Sequence, residues 1–173
     1  MIATVFVGAS VDGFIARRDG GLDWLPQEPE PHGYEELMAE IDTIVFGRHT
    51  FETVLGFGGA WPYGGKRVVV LSSRPVEHEH AEHMSGEPGE IVAKLEASGA
   101  THLYVDGGIT VQRFLRAGLI QRLIVTRVPV LLGDGIPLFG SLPHDVRLRH
   151  VMTRSFPSGL VQSQYEVVHQ PMP

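Results

Sequence analysis

Cysteine is absent from this chain of 173 residues, which excludes a disulfide framework and a thiolate metal site. Basic residues are also in deficit, since 14 Lys and Arg face 20 Asp and Glu, for a net charge of −6. Nothing in this balance predicts binding to nucleic acid through a general basic surface. Long apolar runs are missing too, and none approaches the roughly 18 residues that span a bilayer, so we expect no membrane partner.

What remains is typical of a globular protein, with 43% hydrophobic and 20% charged residues. The length suits one domain with a sizeable core, and we predict a single domain over residues 1–173. Residues 1–9 are apolar but few and carry no basic leader, so they favour a first strand over a signal peptide. We therefore expect a cytoplasmic location.

Hydrophobic periodicity predicts strands that alternate with helices along the chain. The predicted strands are residues 2–7, 43–46, 67–71, 103–105, 123–128, 146–154 and 160–168. The predicted helices cover residues 34–41, 48–56 and 91–98, and a further helix turns Val111, Phe114 and Leu115 inward. Residues 8–31, 77–90 and 129–139 are predicted loops. This alternation indicates an α/β fold with helices on both faces of a mixed sheet, closed by an antiparallel pair.

Two glycine-marked junctions, residues 47–50 and 105–108, stand out because each follows a strand and opens a helix. Such a junction presents free backbone N–H groups and the positive end of the helix dipole, which together bind anions. Two of them suggest a dinucleotide, and Arg48 hints at an additional 2′-phosphate. The alternatives remain an ordinary helix start with a solvated arginine and a tight Gly-Gly turn.

Other polar positions allow a functional and a structural interpretation. Ser72, Ser73 and Arg74 end a strand and could bind a 2′-phosphate, or form only a polar turn. Asp12 and Trp24 could form the floor of an active site. Alternatively, Asp12 is only a turn residue and Trp24 only a core side chain. Asp106 lies at the carboxyl end of a strand, where open α/β sheets bind ligands. The tract with His78, His80 and His83 is typical of a solvated loop, and we expect no metal site.

Five segments in order resemble the dihydrofolate reductase-like superfamily, and more closely the group related to the C-terminal reductase domain of the bifunctional riboflavin-biosynthesis deaminase/reductase. These segments are residues 9–16, 45–52, 71–75, 105–108 and 129–139. The resemblance covers nearly the whole chain. It implies a three-layer α/β/α sandwich around a mixed, mostly parallel eight-stranded sheet with an antiparallel C-terminal edge, and binding of NADP(H).

The resemblance also implies roles for individual positions. The phosphate region of the cofactor would lie at Gly47, Arg48, His49 and Thr50, and its adenosine end with the 2′-phosphate at Leu71, Ser72, Ser73 and Arg74. The pyrophosphate would meet Gly107 and Gly108, with Ile109, Thr110 and Val111 nearby, and the nicotinamide would approach Ile15 and Ala16. Asp106 matches a position where the riboflavin-pathway reductases have an acidic residue near the substrate.

The sequence thus predicts an NADPH-dependent reductase that transfers hydride to a small heterocyclic substrate of pyrimidine or pterin type. Asp106 and Asp12 would polarise or protonate the substrate, and Trp24 would form an apolar wall. Lys66 stands where dihydrofolate reductases have an arginine for the folate tail. Dihydrofolate reduction proper and non-catalytic NADP(H) binding are the alternatives. The resemblance further implies a homodimer, with the apolar strand at 123–128 near its interface.

Overall fold

The computed structural model describes residues 1–26 and 30–169. Within them, strands and helices alternate as the periodicity predicts. The strands are β1 Ile2–Ser10, β2 Phe14–Ala16, β3 Thr43–Gly47, β4 Arg67–Leu71, β5 Glu82–Met84, β6 His102–Asp106, β7 Arg122–Val128, β8 Ile136–Pro137, β9 Leu148–Ser155 and β10 Val161–Val167. The helices are α1 Tyr34–Glu40, α2 Arg48–Gly56, α3 Pro88–Ala97 and α4 Gly108–Arg116.

Eight strands form one sheet in the order β5-β4-β3-β6-β1-β7-β10-β9. The first six strands in this order are parallel to one another. Strand β10 runs antiparallel to both of its neighbours, β7 and β9. The mixed, mostly parallel sheet with an antiparallel C-terminal edge is therefore confirmed. Strands β2 and β8 form a separate antiparallel pair, within segments that the sequence pattern assigned to loops.

Helices cover both faces of the sheet, because alternate residues of the inner strands face opposite ways. On one face, Val5 of β1 packs in a core with residues of α3 and α4. On the other face, Phe6 packs in a second core with Leu37 of α1 and Phe51 of α2. Each large apolar side chain buried in these cores stabilises the fold by roughly 1.5–3 kcal/mol. The three-layer sandwich is confirmed.

The predicted loop at 77–90 is wrong in part. Glu82–Met84 forms strand β5, which pairs with β4 at the sheet edge. Two of its three side chains are charged or polar, as is common in an edge strand, and Met84 alone packs against the core, so the hydrophobic pattern did not reveal it. Helix α3 also begins earlier than predicted, at Pro88, where Glu87 and Glu90 form a capping box.

The apolar strand 123–128 does not lie at an outer edge, because β7 pairs with β1 on one side and with β10 on the other. The edge strand on this side of the sheet is β9, all of whose residues are exposed. The homodimer remains a prediction. Across residues 1–26 and 30–169, no helix combines the length and the apolar character needed to cross a membrane.

Candidate active site

Two neighbouring strands send their helices to opposite faces of the sheet. Strand β3 continues into α2 on the face that carries α1, whereas β6 continues into α4 on the other face. The β3 and β6 strands are hydrogen-bonded neighbours, so a crevice opens between the two helix N-termini, as it does at the switch point of open α/β sheets. A cavity of about 500 Å³ lies there.

Most of the predicted cofactor-binding residues line this cavity. They are Ile15, Ala16, Gly47, Arg48, His49, Thr50, Leu71, Gly107, Gly108, Ile109 and Thr110, and the predicted catalytic residue Asp106 joins them. Ser72, Ser73 and Arg74 do not line the cavity but follow β4 beside Arg48. The assignment of Val111 to the cofactor site is corrected, because its side chain is buried in the core and its N–H donates to the Gly107 carbonyl.

The glycines allow the two junctions to pack closely together. Gly107 has φ +86°, and a Cβ placed on it would come within 2.5 Å of Thr50 Oγ1. A Cβ on Gly47 would lie 3.3 Å from Thr110 Oγ1. Neither α2 nor α4 has a side chain that caps its N-terminus. Their first N–H groups are therefore available to an anion in the cavity.

Arg48 joins the start of α2 to the segment that follows β4. Its Nε donates to Ser72 Oγ at 3.1 Å, and its Nη2 donates to the carbonyl oxygens of Arg74 and Pro75 at 2.9 and 2.7 Å. These bonds fix the guanidinium plane and leave Nη1 to donate further, beside a weak contact of 3.7 Å with Glu52. A pre-oriented cation at the cavity wall suits a phosphate group.

Asp106 is the last residue of β6 and contributes its carboxyl group to the cavity lining. Burial raises the pKa of this carboxyl, while a hydrogen bond of 2.8 Å from the Gly107 N–H offsets part of the rise. The Tyr104 hydroxyl donates to the Phe6 carbonyl at 3.1 Å. Burial also raises the pKa values of Tyr34, Tyr63 and Tyr104, and the nearby Asp106 charge adds to each. A buried carboxyl group with a raised pKa keeps its proton to higher pH than an exposed one and can deliver it to a ligand.

Asp12, expected near the substrate, lies outside the cavity lining. Its carboxylate accepts hydrogen bonds from Ser10 Oγ at 2.6 Å and from the N–H groups of Leu132 and Gly133 at 3.1 and 2.8 Å. The side chain therefore braces the turn between β1 and β2 against the segment before β8. The catalytic assignment of Asp12 is corrected to a structural one, because its oxygens are occupied by this turn.

This role predicts a pH-dependent loss of stability in Asp12→Ala. The bond from Ser10 holds the pKa of Asp12 below its ordinary value of 3.8. A lowered pKa stabilises the fold above that ordinary value, and the stabilisation is lost as the pH falls through the lowered one. Thermal unfolding should show a lower Tm for Asp12→Ala at neutral pH, and the gap should close in acid. The exposed Asp145→Ala serves as the control, and an equal gap at all pH values would contradict the assignment.

Trp24 was predicted as an apolar wall, but it does not line the cavity, and its neighbours Leu22 and Leu25 do. The indole Nε1 is buried and has no hydrogen-bond acceptor among residues 1–26 and 30–169. The wall assignment therefore moves to the two leucines. The sequence pattern did not separate them from Trp24, because this segment follows no regular period.

The histidines of the acidic tract have other partners. His78 and His80 pack against Trp61, with ring centroids 5.5 and 5.2 Å apart, and His83 Nε2 bonds the Ser72 carbonyl at 2.8 Å. Among the described residues, no group of three His, Asp or Glu side chains is arranged to hold a metal ion.

Several lining residues were missed from the sequence. They are Phe6, Val7, Gly8, Gly20, Leu22, Leu25, Thr53, Tyr104, Arg113 and Ile136. Tyr104 could have been found, since it lies two residues before Asp106 in β6 and therefore on the same face of the strand. Thr53 and Arg113 could also have been found, since they follow His49 and Ile109 by four residues on α2 and α4. The remaining residues come from other segments, which the strand order brings together.

The sequence matches the model of a known protein family over most of its length. The model of the RibD C-terminal domain matches residues 2–162. The chain belongs to the RibD C-terminal domain family. A member provisionally assigned to riboflavin biosynthesis, from Shewanella sp. PV-4, is 38% identical with a TM-score of 0.91, over 98% of this chain and 100% of that one.

Two more distant structures share the fold. The deaminase/5-amino-6-(5-phosphoribosylamino)uracil reductase of Thermotoga maritima is 15% identical with a TM-score of 0.75, over 96% of this chain and 56% of that one. The dihydrofolate reductase of Enterococcus faecalis, complexed with NADP(H), is 18% identical with a TM-score of 0.68, over 96% of each chain. Both support the dihydrofolate reductase-like fold of this RibD-type domain.

Proposed function

We propose that this RibD-type domain is an NADPH-dependent reductase that transfers hydride to a small heterocyclic substrate of pyrimidine or pterin type. The observation that carries the proposal is the meeting of two uncapped helix N-termini on one cavity, beside the fixed guanidinium of Arg48. Two separated anion sites suit the phosphates of a dinucleotide. The NADP(H) complex of the structurally similar dihydrofolate reductase supports this choice of cofactor.

The residues present fit NADP(H). The N–H groups that begin α2 and α4 would hold its phosphates, and Gly107 lets the two junctions approach closely. Arg48, with Ser72, Ser73 and Arg74 beside it, would hold the 2′-phosphate. Ile15 and Ala16 of β2 would border the nicotinamide, which supplies the hydride when the cofactor is bound.

The protein would then orient the substrate, exclude water and supply a proton. Leu22, Leu25 and Phe6 give the cavity apolar walls that exclude water. Asp106 would bind substrate N–H groups or, when protonated, donate its proton to the reduced centre. This division of labour needs no further charged residue within the cavity.

The cofactor assignment predicts the behaviour of Arg48→Ala. The variant should raise the Kd for NADPH about tenfold or more, because a charge-assisted hydrogen bond stabilises binding by roughly 1.5–3 kcal/mol. The Kd for NADH should change little, since NADH has no 2′-phosphate. Fluorescence titration measures both values, with Arg116→Ala on the exposed side of α4 as the control.

Three outcomes separate the alternatives. Failure of the wild-type protein to bind NADPH would refute the proposed function. Equal losses for NADPH and NADH in Arg48→Ala would refute the 2′-phosphate assignment alone. Tight NADPH binding without oxidation in the presence of pterins, flavins and pyrimidines would favour a non-catalytic NADP(H)-binding protein.

A further inference from the structure

We propose that the substrate of this reductase is an uncharged, planar nitrogen heterocycle that carries neither a phosphate nor a carboxylate group. This inference rests on the proposed function and names the substrate class of the same cavity. It separates the chain from the Thermotoga maritima enzyme, whose reductase substrate, 5-amino-6-(5-phosphoribosylamino)uracil, carries a phosphate.

Both arginines that line the cavity are drawn towards one side of it. The basic residues among the described lining are Arg48, Arg113 and His49, and the His49 ring faces Gly20, where an added Cβ would lie 3.1 Å from Nε2. Arg48 is tied to the segment after β4, and Arg113 Nη2 donates to the Gly86 carbonyl at 3.0 Å, just after β5. The β4 and β5 strands lie three and four positions from β1 in the sheet order. At about 4.8 Å per position, both arginines are fixed more than about 10 Å from β1.

The side of the cavity near β1 has mostly apolar walls, and its acidic side chain is that of Asp106. It is formed by Phe6 and Gly8 of β1, by Leu22 and Leu25, and by Tyr104 and Asp106 of β6. Because β6 and β1 are neighbours, these residues share one end of the crevice. The burial that raises the pKa of Asp106 penalises the negative charge of a ligand beside it in the same way.

The charged residues of the chain that covers this side are mostly acidic. Among residues 19–26 and 30–36 there is no Lys or Arg, and the acids are Asp19, Asp23, Glu30, Glu35 and Glu36, of which Asp23 pairs with Arg17 at 2.6 Å. This stretch supplies the two cavity-lining leucines and the start of helix α1. A cleft with apolar walls concentrates the field of the charges around it, so an approaching anion meets a repulsive potential.

Three cations on the α1 face are engaged elsewhere. Lys66 Nζ donates to the Ile41 carbonyl at 2.8 Å, and Arg122 pairs with Glu40 at 3.2 Å. Arg154 donates to the His32 carbonyl at 3.2 Å and to Gln162 at 2.8 Å. None of the three lines the cavity. A phosphate or a folate carboxylate on this side would be desolvated without a cationic partner, which is costly, whereas an uncharged ring would bury its faces on apolar walls.

Matched compound pairs test this inference. The pairs are 5-amino-6-ribosylaminouracil and its 5′-phosphate, riboflavin and its 5′-phosphate, and 6-methyl-7,8-dihydropterin and 7,8-dihydrofolate. Binding to the full chain saturated with NADP⁺ is measured by calorimetry, and turnover is measured as NADPH oxidation. In every pair that binds, the uncharged member should bind at least about tenfold more tightly, because repulsion and lost hydration act only on the anion.

A charge variant makes the test sharper. Leu22→Arg places a cation in the apolar wall and should shift the preference within each pair about tenfold towards the anionic member. Leu22→Met is the matched control, since it changes the wall without adding charge and should keep the wild-type preference.

The outcomes distinguish failure of the proposed function from failure of the substrate class. If NADPH itself does not bind, the proposed function fails. If NADPH binds and an anionic member binds as tightly as its uncharged counterpart or more so, the substrate class is overturned. It is also overturned if NADPH binds and none of the compounds does, because the cavity should accept an uncharged heterocycle beside Asp106.

Discussion

Replacing Asp106 with asparagine is expected to lower kcat/KM for NADPH-dependent reduction by about 10²–10⁴, the range typical of a lost general acid. Asn keeps the size of the side chain and can still accept the Gly107 N–H, but it cannot deliver a proton. The affinity for NADPH should remain close to that of the wild type, because the proposed cofactor sites lie at the helix N-termini. Steady-state kinetics with a saturable substrate, together with NADPH titration, measure both quantities.

The pH profile separates a proton donor from a residue that merely fills space. Burial raises the pKa of Asp106, so the donating form persists to higher pH than it would for an exposed carboxyl group. Wild-type activity should fall as the pH rises through that pKa, and the residual activity of Asp106→Asn should lack this limb. Asp134→Asn, at an exposed carboxylate, is the control. Retention of more than half of the activity in Asp106→Asn would contradict the role of proton donor.

Gly107→Ala is expected to destabilise the fold by about 2–4 kcal/mol and to abolish measurable NADPH binding. Two effects combine, because Gly107 has φ +86° and an added Cβ would meet Thr50 Oγ1 at 2.5 Å. Separating the two junctions would pull apart the N–H groups that face the cavity. Urea unfolding gives the loss of free energy, and fluorescence titration gives the loss of binding.

The chain offers a matched control for each effect. Gly118 has φ +68° with nothing within 4 Å of an added Cβ, so Gly118→Ala reports the backbone penalty alone. In the Gly107→Ala background, Thr50→Ala removes the hydroxyl that collides and should recover part of the lost stability. Equal destabilisation of Gly107→Ala and Gly118→Ala, with normal NADPH binding in both, would contradict the claim that stability and binding need the close approach of the two junctions.

Much of the framework could be predicted because local pattern determines it. Helix α2 and strand β4 have the predicted bounds, since Gly47 marks the helix start and the Val68–Val70 run is covered on both faces. The short strands β2, β5 and β8 escaped prediction. Each is held by backbone pairing with a segment distant in sequence or at an edge, and pairing leaves little trace in side-chain pattern.

The candidate site divides in the same way. Gly107 and Arg48 could be placed at the cavity from the sequence because a strand that turns into a helix through glycine has a distinctive sequence. Val111 was misassigned because helical geometry turns that position into the core. Asp12 was misassigned because its bonding partners, Leu132 and Gly133, lie more than 100 residues away. Contacts at that separation are set by topology and not by local sequence.

The central place of β1 has a consequence for how the chain folds. Ile2 pairs with His102 of β6, and Thr4 pairs with Arg122 of β7. During synthesis, this apolar first strand must therefore wait until both partners have emerged, about 120 residues later. Pairing across such long loops is slow, and the waiting strand is prone to associate with other chains. Folding yield in cells should accordingly depend more on protection of nascent β1 than on the stability of the finished sheet.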